Sequence, residues 1–307
     1  MTARRTSEQR KSEPRKRQQG GSSRWPVGVV IAVLLVIATG IALAVAVLVA
    51  SPAPRDALPW ARLGTEDAHS LAVAGDGTDR LLFGHHGGLL ESADGGRTWD
   101  ALPLGDDAMS TATGSDGSIV IAGHDVFRAS RDGGATWASI ATDLPSLDIH
   151  GFTRDPADPS RMWAYPVTGG LWESLDGGAT FIQVRSDNVL LPTAISVGAT
   201  TRLFGIDTTG LIESLDGGRT WSSLVMPPTF PMTSFAASAD GRVLYAGAQD
   251  GLYRSEDGGR SWSATAYAGS AFALTTSPDG RTVVVVDRAT DVYRSDDGGA
   301  SWPGPGQ

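Results

Sequence analysis

The chain predicts an all-β fold, a six-bladed β-propeller, preceded by one N-terminal transmembrane helix. Three features of the sequence carry this reading. A short phrase recurs six times at intervals of about forty residues, an orphan strand at the front matches a gap at the end, and an uncharged apolar run lies near the start.

The phrase is Ser-x-Asp-Gly-Gly-x-(Thr/Ser)-(Trp/Phe), beginning at Ser92, Ser130, Ser174, Ser214, Ser255 and Ser295, in steps of 38, 44, 40, 41 and 40 residues. Self-similarity at this period marks a propeller or solenoid. Apolar stretches flank each copy (GLLES before the first, WDALPL after it), which reads as strand, tight turn, strand. The paired glycines supply positive φ without steric cost. The serines, with Asp94, Asp132, Asp176, Asp216, Asp257 and Asp297, are placed to satisfy turn amides. The closing aromatics, Trp99, Trp137, Phe181, Trp221, Trp262 and Trp302, are expected to cover the hairpins with a large buried face.

The last copy ends at Trp302, and only Pro-Gly-Pro-Gly-Gln (303–307) follows, so the final blade lacks an outer strand. Pro59-Trp60-Ala61-Arg62-Leu63 resembles the strands that follow the other copies. Residues 59–302 therefore read as six blades of four strands, with the front strand completing the last blade and removing open sheet edges. The tryptophans at the repeated position are core by default. Trp163 and Trp172 in blade 3 fall outside it.

All six copies resemble the Asp-box (BNR) repeat of sialidases, of sortilin-type receptors and of photosystem II assembly factors. That resemblance implies a propeller whose boxes lie on the blade periphery, in enzymes and non-enzymes alike. Residues 59–302 are also similar to a bacterial group of Asp-box proteins labelled glycosyl hydrolases. In that group a His-x-His-Gly-Leu-like strand and a His-His-Gly loop open the first blade. Here Ala68-His69-Ser70-Leu71 and His85-His86-Gly87-Gly88-Leu89 approximate them, with Ala68 where the first histidine would stand.

Residues Val27 to Ala50 carry no charge, and these 24 residues exceed the roughly 20 that span a bilayer as helix. Pro52 and Pro54 crowd the cleavage positions a signal peptide would use, so 25–50 reads as an uncleaved signal-anchor. The preceding tail, 1–24, holds eight basic residues against two acidic, a net charge of +6, and is expected to be disordered and cytoplasmic. This predicts a single-pass cell-membrane protein with an extracytoplasmic propeller, held off the bilayer by a Pro/Ala linker at 51–58. Beyond the tail stand 17 arginines, no lysine and 32 acidic residues, a net charge of −15. That balance argues against nucleic acid as a partner. With no cysteine, neither disulfides nor thiol chemistry is available.

Ligands of a propeller usually bind on the rim formed by the loops entering the inner strands and those joining the second and third strands. All five histidines, His69, His85, His86, His124 and His150, map there, in blades 1 to 3. They form a candidate site for a divalent transition metal, with Asp125 or Asp148 completing it. His85 and His86 are adjacent, and so at most one of them faces the others.

A sialidase would carry an arginine triad whose first member sits on an Arg-Ile-Pro-type strand, and blade 1 reads HSLAVAG instead. Nor is there a nucleophile elbow or a phosphate loop. No catalytic residue can be assigned. The reading is a binding or assembly module with an unknown protein or glycan ligand on its rim. The alternative is a glycoside hydrolase using rim carboxylates.

Overall fold

The computed structural model describes residues 57–75, 79–229 and 231–306. They form six four-stranded antiparallel sheets. From the inside outward, blade 1 comprises Ser70–Val73, Leu81–His85, Gly88–Ser92 and Asp100–Ala101. Blade 2 comprises Ser110–Thr113, Ile119–Gly123, Val126–Ser130 and Ala138–Ser139. Blade 3 runs through Ile149–Arg154, Met162–Pro166, Leu171–Ser174 and Ile182–Arg185, and blade 4 through Leu190–Val197, Thr200–Asp207, Gly210–Ser214 and Ser222–Ser223. Blade 5 has Ser234–Ala237, Leu244–Gly247, Leu252–Ser255 and Ser263–Ala264. Blade 6 has Ala273–Thr276, Val283–Val286 and Asp291–Ser295, and Ala61–Arg62 supplies its outer strand. The fold is an all-β, six-bladed propeller.

The closure is specific. Ala61 pairs with Val292 and Arg62 with Asp291. The amides of Trp60 and Leu63 donate to the carbonyls of Val292 (2.7 Å) and Thr290 (2.9 Å). Arg62 grips Asp291 with two parallel bonds, Nε to Oδ1 at 2.6 Å and a terminal nitrogen to Oδ2 at 2.7 Å. Trp60 donates its indole N–H to the Pro303 carbonyl at 2.9 Å, with Arg97 of blade 1 at 4.3 Å from its ring and Arg294 of blade 6 at 5.4 Å. One residue thus ties the closing strand to the segment after the last hairpin and to both flanking blades.

Apolar clusters fill the seams between blades. Phe127, Phe152 and Met162 pack between blades 2 and 3, and Tyr245, Tyr267, Val285 and Trp302 between blades 5 and 6. Because each second strand has a neighbour blade on both faces, its apolar residues run on (Val283–Val286, Ile119–Ala122) rather than alternating.

Every repeated hairpin carries the same lock. At the first, Ser92 Oγ donates to Asp94 Oδ1 (2.9 Å) and accepts from the Gly96 amide (2.8 Å). Asp94 takes the Thr98 amide on Oδ1 (2.9 Å) and the Thr98 hydroxyl on Oδ2 (2.7 Å). The other five match within a few tenths of an ångström, as at Ser214, Asp216, Gly218 and Thr220. Gly95 and Gly96 have φ of 77° and 102°, the left-handed region the lock requires.

Two details differ from expectation. The closing aromatics are fully buried only at Phe181 and Trp302. The other four are half-buried. Trp163 and Trp172 prove to be packing residues: Trp163 is fully buried and donates to the Gly217 carbonyl, and Trp172 packs against the seam of blades 2 and 3. The predicted tail, span and most of the linker (1–56) lie outside the described residues. Among those described, no helix is long and apolar enough to cross a membrane.

The lock makes stability depend on acid. At Asp132 the hydroxyl and amide of Thr136 hold the carboxyl down at about 2, against an ordinary 3.8, and Asp176 and Asp257 behave alike. A carboxylate depressed by folding stabilises fully above its unfolded value, and that contribution is lost as pH falls through the folded value. Melting temperatures followed by circular dichroism should therefore fall steeply between about pH 4 and pH 2. The Asp132→Asn variant should melt lower at neutral pH, with a shallower slope in that window.

Candidate functional site

Three consecutive blades bring four histidines and three aspartates to one end of the ring. The aspartates come from loops entering the inner strands: Asp67 for blade 1, Asp107 for blade 2 and Asp148 for blade 3. His86 and His124 sit in the tight turns that follow the second strands Leu81–His85 and Ile119–Gly123. His69 immediately precedes the inner strand of blade 1, and His150 lies in that of blade 3. His69 and His150 also line the mouth of the central channel, a space of about 340 Å³ enclosed by the inner strands.

The side chains form a continuous row. His69 Nε2 lies 3.0 Å from His86 Nδ1, which also meets Asp67 Oδ2, and the His86 amide donates to Asp67 Oδ1 at 3.0 Å. The rings of His86 and His124 stack nearly parallel, 5.7 Å between centroids. His124 Nδ1 lies 2.7 Å from Asp107 Oδ2, which also accepts the His124 amide at 2.9 Å. His124 Nε2 then faces Asp148 Oδ1 at 3.7 Å, and His150 Nε2 bonds the same oxygen at 2.9 Å. Gly123 makes the approach of Asp107 feasible, because a Cβ there would meet the Asp107 carbonyl oxygen at 2.5 Å and Oδ2 at 2.8 Å.

The row contains three overlapping groups: Asp67, His69 and His86; His86, Asp107 and His124; and His124, Asp148 and His150. Within each, the potential ligand atoms lie within 4.8 Å of one another. Each group offers two imidazoles and one carboxylate, a donor set suited to a divalent transition metal with open coordination positions. The middle group has a further mark. Asp107 Oδ1 is buried and has no hydrogen-bond partner, an arrangement that costs free energy unless something binds it.

His85 stands apart from this row. Its ring lies near that of Phe83, 6.1 Å between centroids, and its Nδ1 accepts the Gly87 amide at 3.0 Å. Asp125 is a turn residue with φ of 56° and belongs to none of the three groups. Sequence reasoning found four of the row's histidines and Asp148 but missed Asp67 and Asp107. The signal was present, since Asp67, Asp107 and Asp148 recur at 40 and 41 residues, in step with the blades.

The titrations within the row diverge. Burial pushes the imidazoles of His69 and His85 below the ordinary 6.5, whereas the hydrogen bond to Asp67 raises His86. Burial acts to raise the Asp67 carboxyl but is outweighed by the side-chain and amide bonds from His86, and the net shift is downward.

No protein-family profile matches the chain, and no curated protein matches it. Among solved structures it is similar to the GH74 xyloglucanase from Xanthomonas campestris, with 24% identity and a TM-score of 0.51, over 75% of this chain and 37% of that one. It is similar also to YCF48 from Cyanidioschyzon merolae (16% identity, TM-score 0.51, covering 83% and 87%). A structure of YCF48 bound to D1 peptide matches with 16% identity and a TM-score of 0.51, covering 76% and 95%. These likenesses are of fold. The chain is a β-propeller whose structural neighbours include both hydrolases and a peptide-binding protein. It spans little more than a third of the xyloglucanase.

Histidine titration by NMR checks the row's electrostatics. His86 should titrate above 6.5 and His69 and His85 below it, and Asp67→Asn should bring His86 down. Because the folded value of His86 is raised, the Asp67–His86 pair stabilises fully below the unfolded value. Its contribution fades as pH rises through the folded one.

Proposed function

We propose that this chain is a membrane-anchored, extracytoplasmic propeller of the Asp-box kind that works as a binding or assembly module. Its rim row binds a divalent transition metal through His86, Asp107 and His124, flanked by His69 with Asp67 and His150 with Asp148. One observation carries the metal reading: Asp107, whose buried Oδ1 has no hydrogen-bond partner, stands with His86 and His124 in a group whose potential ligand atoms lie within 4.8 Å of one another. A bound ion would supply a Lewis-acidic anchor for a carboxylate or carbonyl of the ligand. The protein's own residues orient it, with Asp67 fixing the imidazole of His86 and Asp148 that of His150. The peptide-bound YCF48 structure supports a propeller of this type working as a binding module. The apolar run at 25–50 and the basic tail before it support the anchor.

A glycoside hydrolase is the second reading, on the GH74 likeness. The row favours it less, since Asp67, Asp107 and Asp148 each already engage an imidazole and none is left as a free acid or base.

Zinc titration of the full chain by calorimetry, with metal analysis of the product, tests the site. The wild type should bind zinc stoichiometrically. His86→Ala and His124→Ala should each weaken binding by roughly tenfold or more, while His85→Ala should leave it unchanged. A metal-free wild type, or equal losses in all three variants, contradicts the reading. The anchor is checked by alkaline membrane fractionation: the full chain should pellet, and a chain lacking 25–50 should not.

A further inference from the structure

The six seams are built alike except one. At five of them an arginine from the preceding blade covers the first glycine of the repeated hairpin. Arg294 donates to the Gly95 carbonyl and Arg80 to that of Gly133. Arg161, Arg202 and Arg254 lie closest to the Cβ positions of Gly217, Gly258 and Gly298, apart from neighbouring backbone at Gly258. In blades 1, 3 and 4 that arginine precedes the second strand's core residue and pairs with a glutamate of the third strand: Arg80 with Glu91, Arg161 with Glu173, Arg202 with Glu213. In blades 5 and 6 it comes from the third strand, as Arg254 and Arg294.

Blade 2 has neither arrangement. The register places Ser118 and Ala129 at these two positions, and a Cβ on Gly177 of blade 3 would meet nothing within 4 Å. The missing pair leaves a cleft of about 720 Å³ between blades 2 and 3.

A different arginine enters this cleft. Strand register aligns Arg154, at the end of the inner strand of blade 3, with Val73, Thr113, Ala194, Ala237 and Thr276, all uncharged. Arg154 is 3% exposed. It donates to Ser118 Oγ at 2.9 Å and reaches Asp116, itself half-exposed, at 3.4 Å. Its Nε is buried and has no acceptor. Gly114 makes way for the guanidinium, because a Cβ there would lie 2.0 Å from its terminal nitrogen. The remaining walls are Arg131, exposed at the mouth, and the apolar surfaces of Trp137, Ile140 and Met162.

We propose that this seam is a binding site for a small organic carboxylate with an apolar body. The carboxylate meets the open donor of Arg154, a guanidinium being suited to such charge-assisted bonds. The body lies along Trp137 and Ile140 in the space the absent Arg–Glu pair would fill. The site is separate from the histidine row: His150 and Arg154 stand at opposite ends of one inner strand.

The test is calorimetric titration of the full chain with phenylacetate, in the presence of a chelator so that no metal on the histidine row takes the carboxylate. Phenylacetamide and acetate serve as probes lacking the charge and the body. Phenylacetate should bind, with the amide and acetate each weaker by roughly tenfold or more. Arg154→Met should abolish binding. So should the double variant Ser118→Arg, Ala129→Glu, which restores the pair seen in blades 1, 3 and 4, with circular dichroism checking that it is folded. No binding of phenylacetate up to about 10 mM overturns the proposal. So does equal affinity for acid and amide, or binding that survives in the double variant.

Discussion

Pairing of Ala61–Arg62 with Val292–Asp291 is the constraint on which the rest of the structure depends. Without it, blade 6 would end in an unpaired edge. With it, the ring is closed and each blade is held at a fixed step from its neighbours, with an apolar seam on either side. The row of imidazoles is a direct consequence. Residues as far apart in sequence as His69 and His150 come into one line because three blades advance by a constant rotation, each delivering its loop and its turn to the same end. The bidentate Arg62–Asp291 bond and the Trp60 indole secure that geometry where the closing strand meets the last blade.

Much of the fold was legible because the hairpin's chemistry is local. Ser, Asp and Gly-Gly within one short phrase hold every partner the turn needs, so each copy announces a hairpin, and the orphan strand at Trp60 supplies the closure. Burial was less legible, since it depends on what neighbouring strands and blades cover. Four closing aromatics stay half-exposed beside two-residue outer strands, and Trp163 is buried by a seam no local pattern reveals. In the candidate site the histidines stood out by rarity. Asp67 and Asp107 did not, among so many acidic residues, although their spacing follows the blade period. His85 diverges from His86 because it ends the second strand while His86 opens the turn that follows.

Repetition also separates scaffold from function. Positions that obey the repeat build the ring, and positions that break it gather in two places. One is the histidine row of blades 1 to 3, where the loops carry side chains the other blades lack. The other is the seam of blades 2 and 3, where Ser118 and Ala129 replace an ion pair and Arg154 replaces a small neutral residue. Both breaks are visible in the sequence as departures from a pattern, but their meaning required knowing which side chains face the same space. Each holds a buried polar atom lacking a partner, Asp107 Oδ1 in one and Arg154 Nε in the other.

The central claim is that the rim row is a metal centre, and an anomalous difference map from zinc-soaked crystals addresses it most directly. The account predicts a peak at the zinc edge among His86, Asp107 and His124, about 2.0–2.2 Å from the imidazole nitrogens and the carboxylate oxygen. A row without a peak, with zinc bound only at surface carboxylates elsewhere, would contradict it.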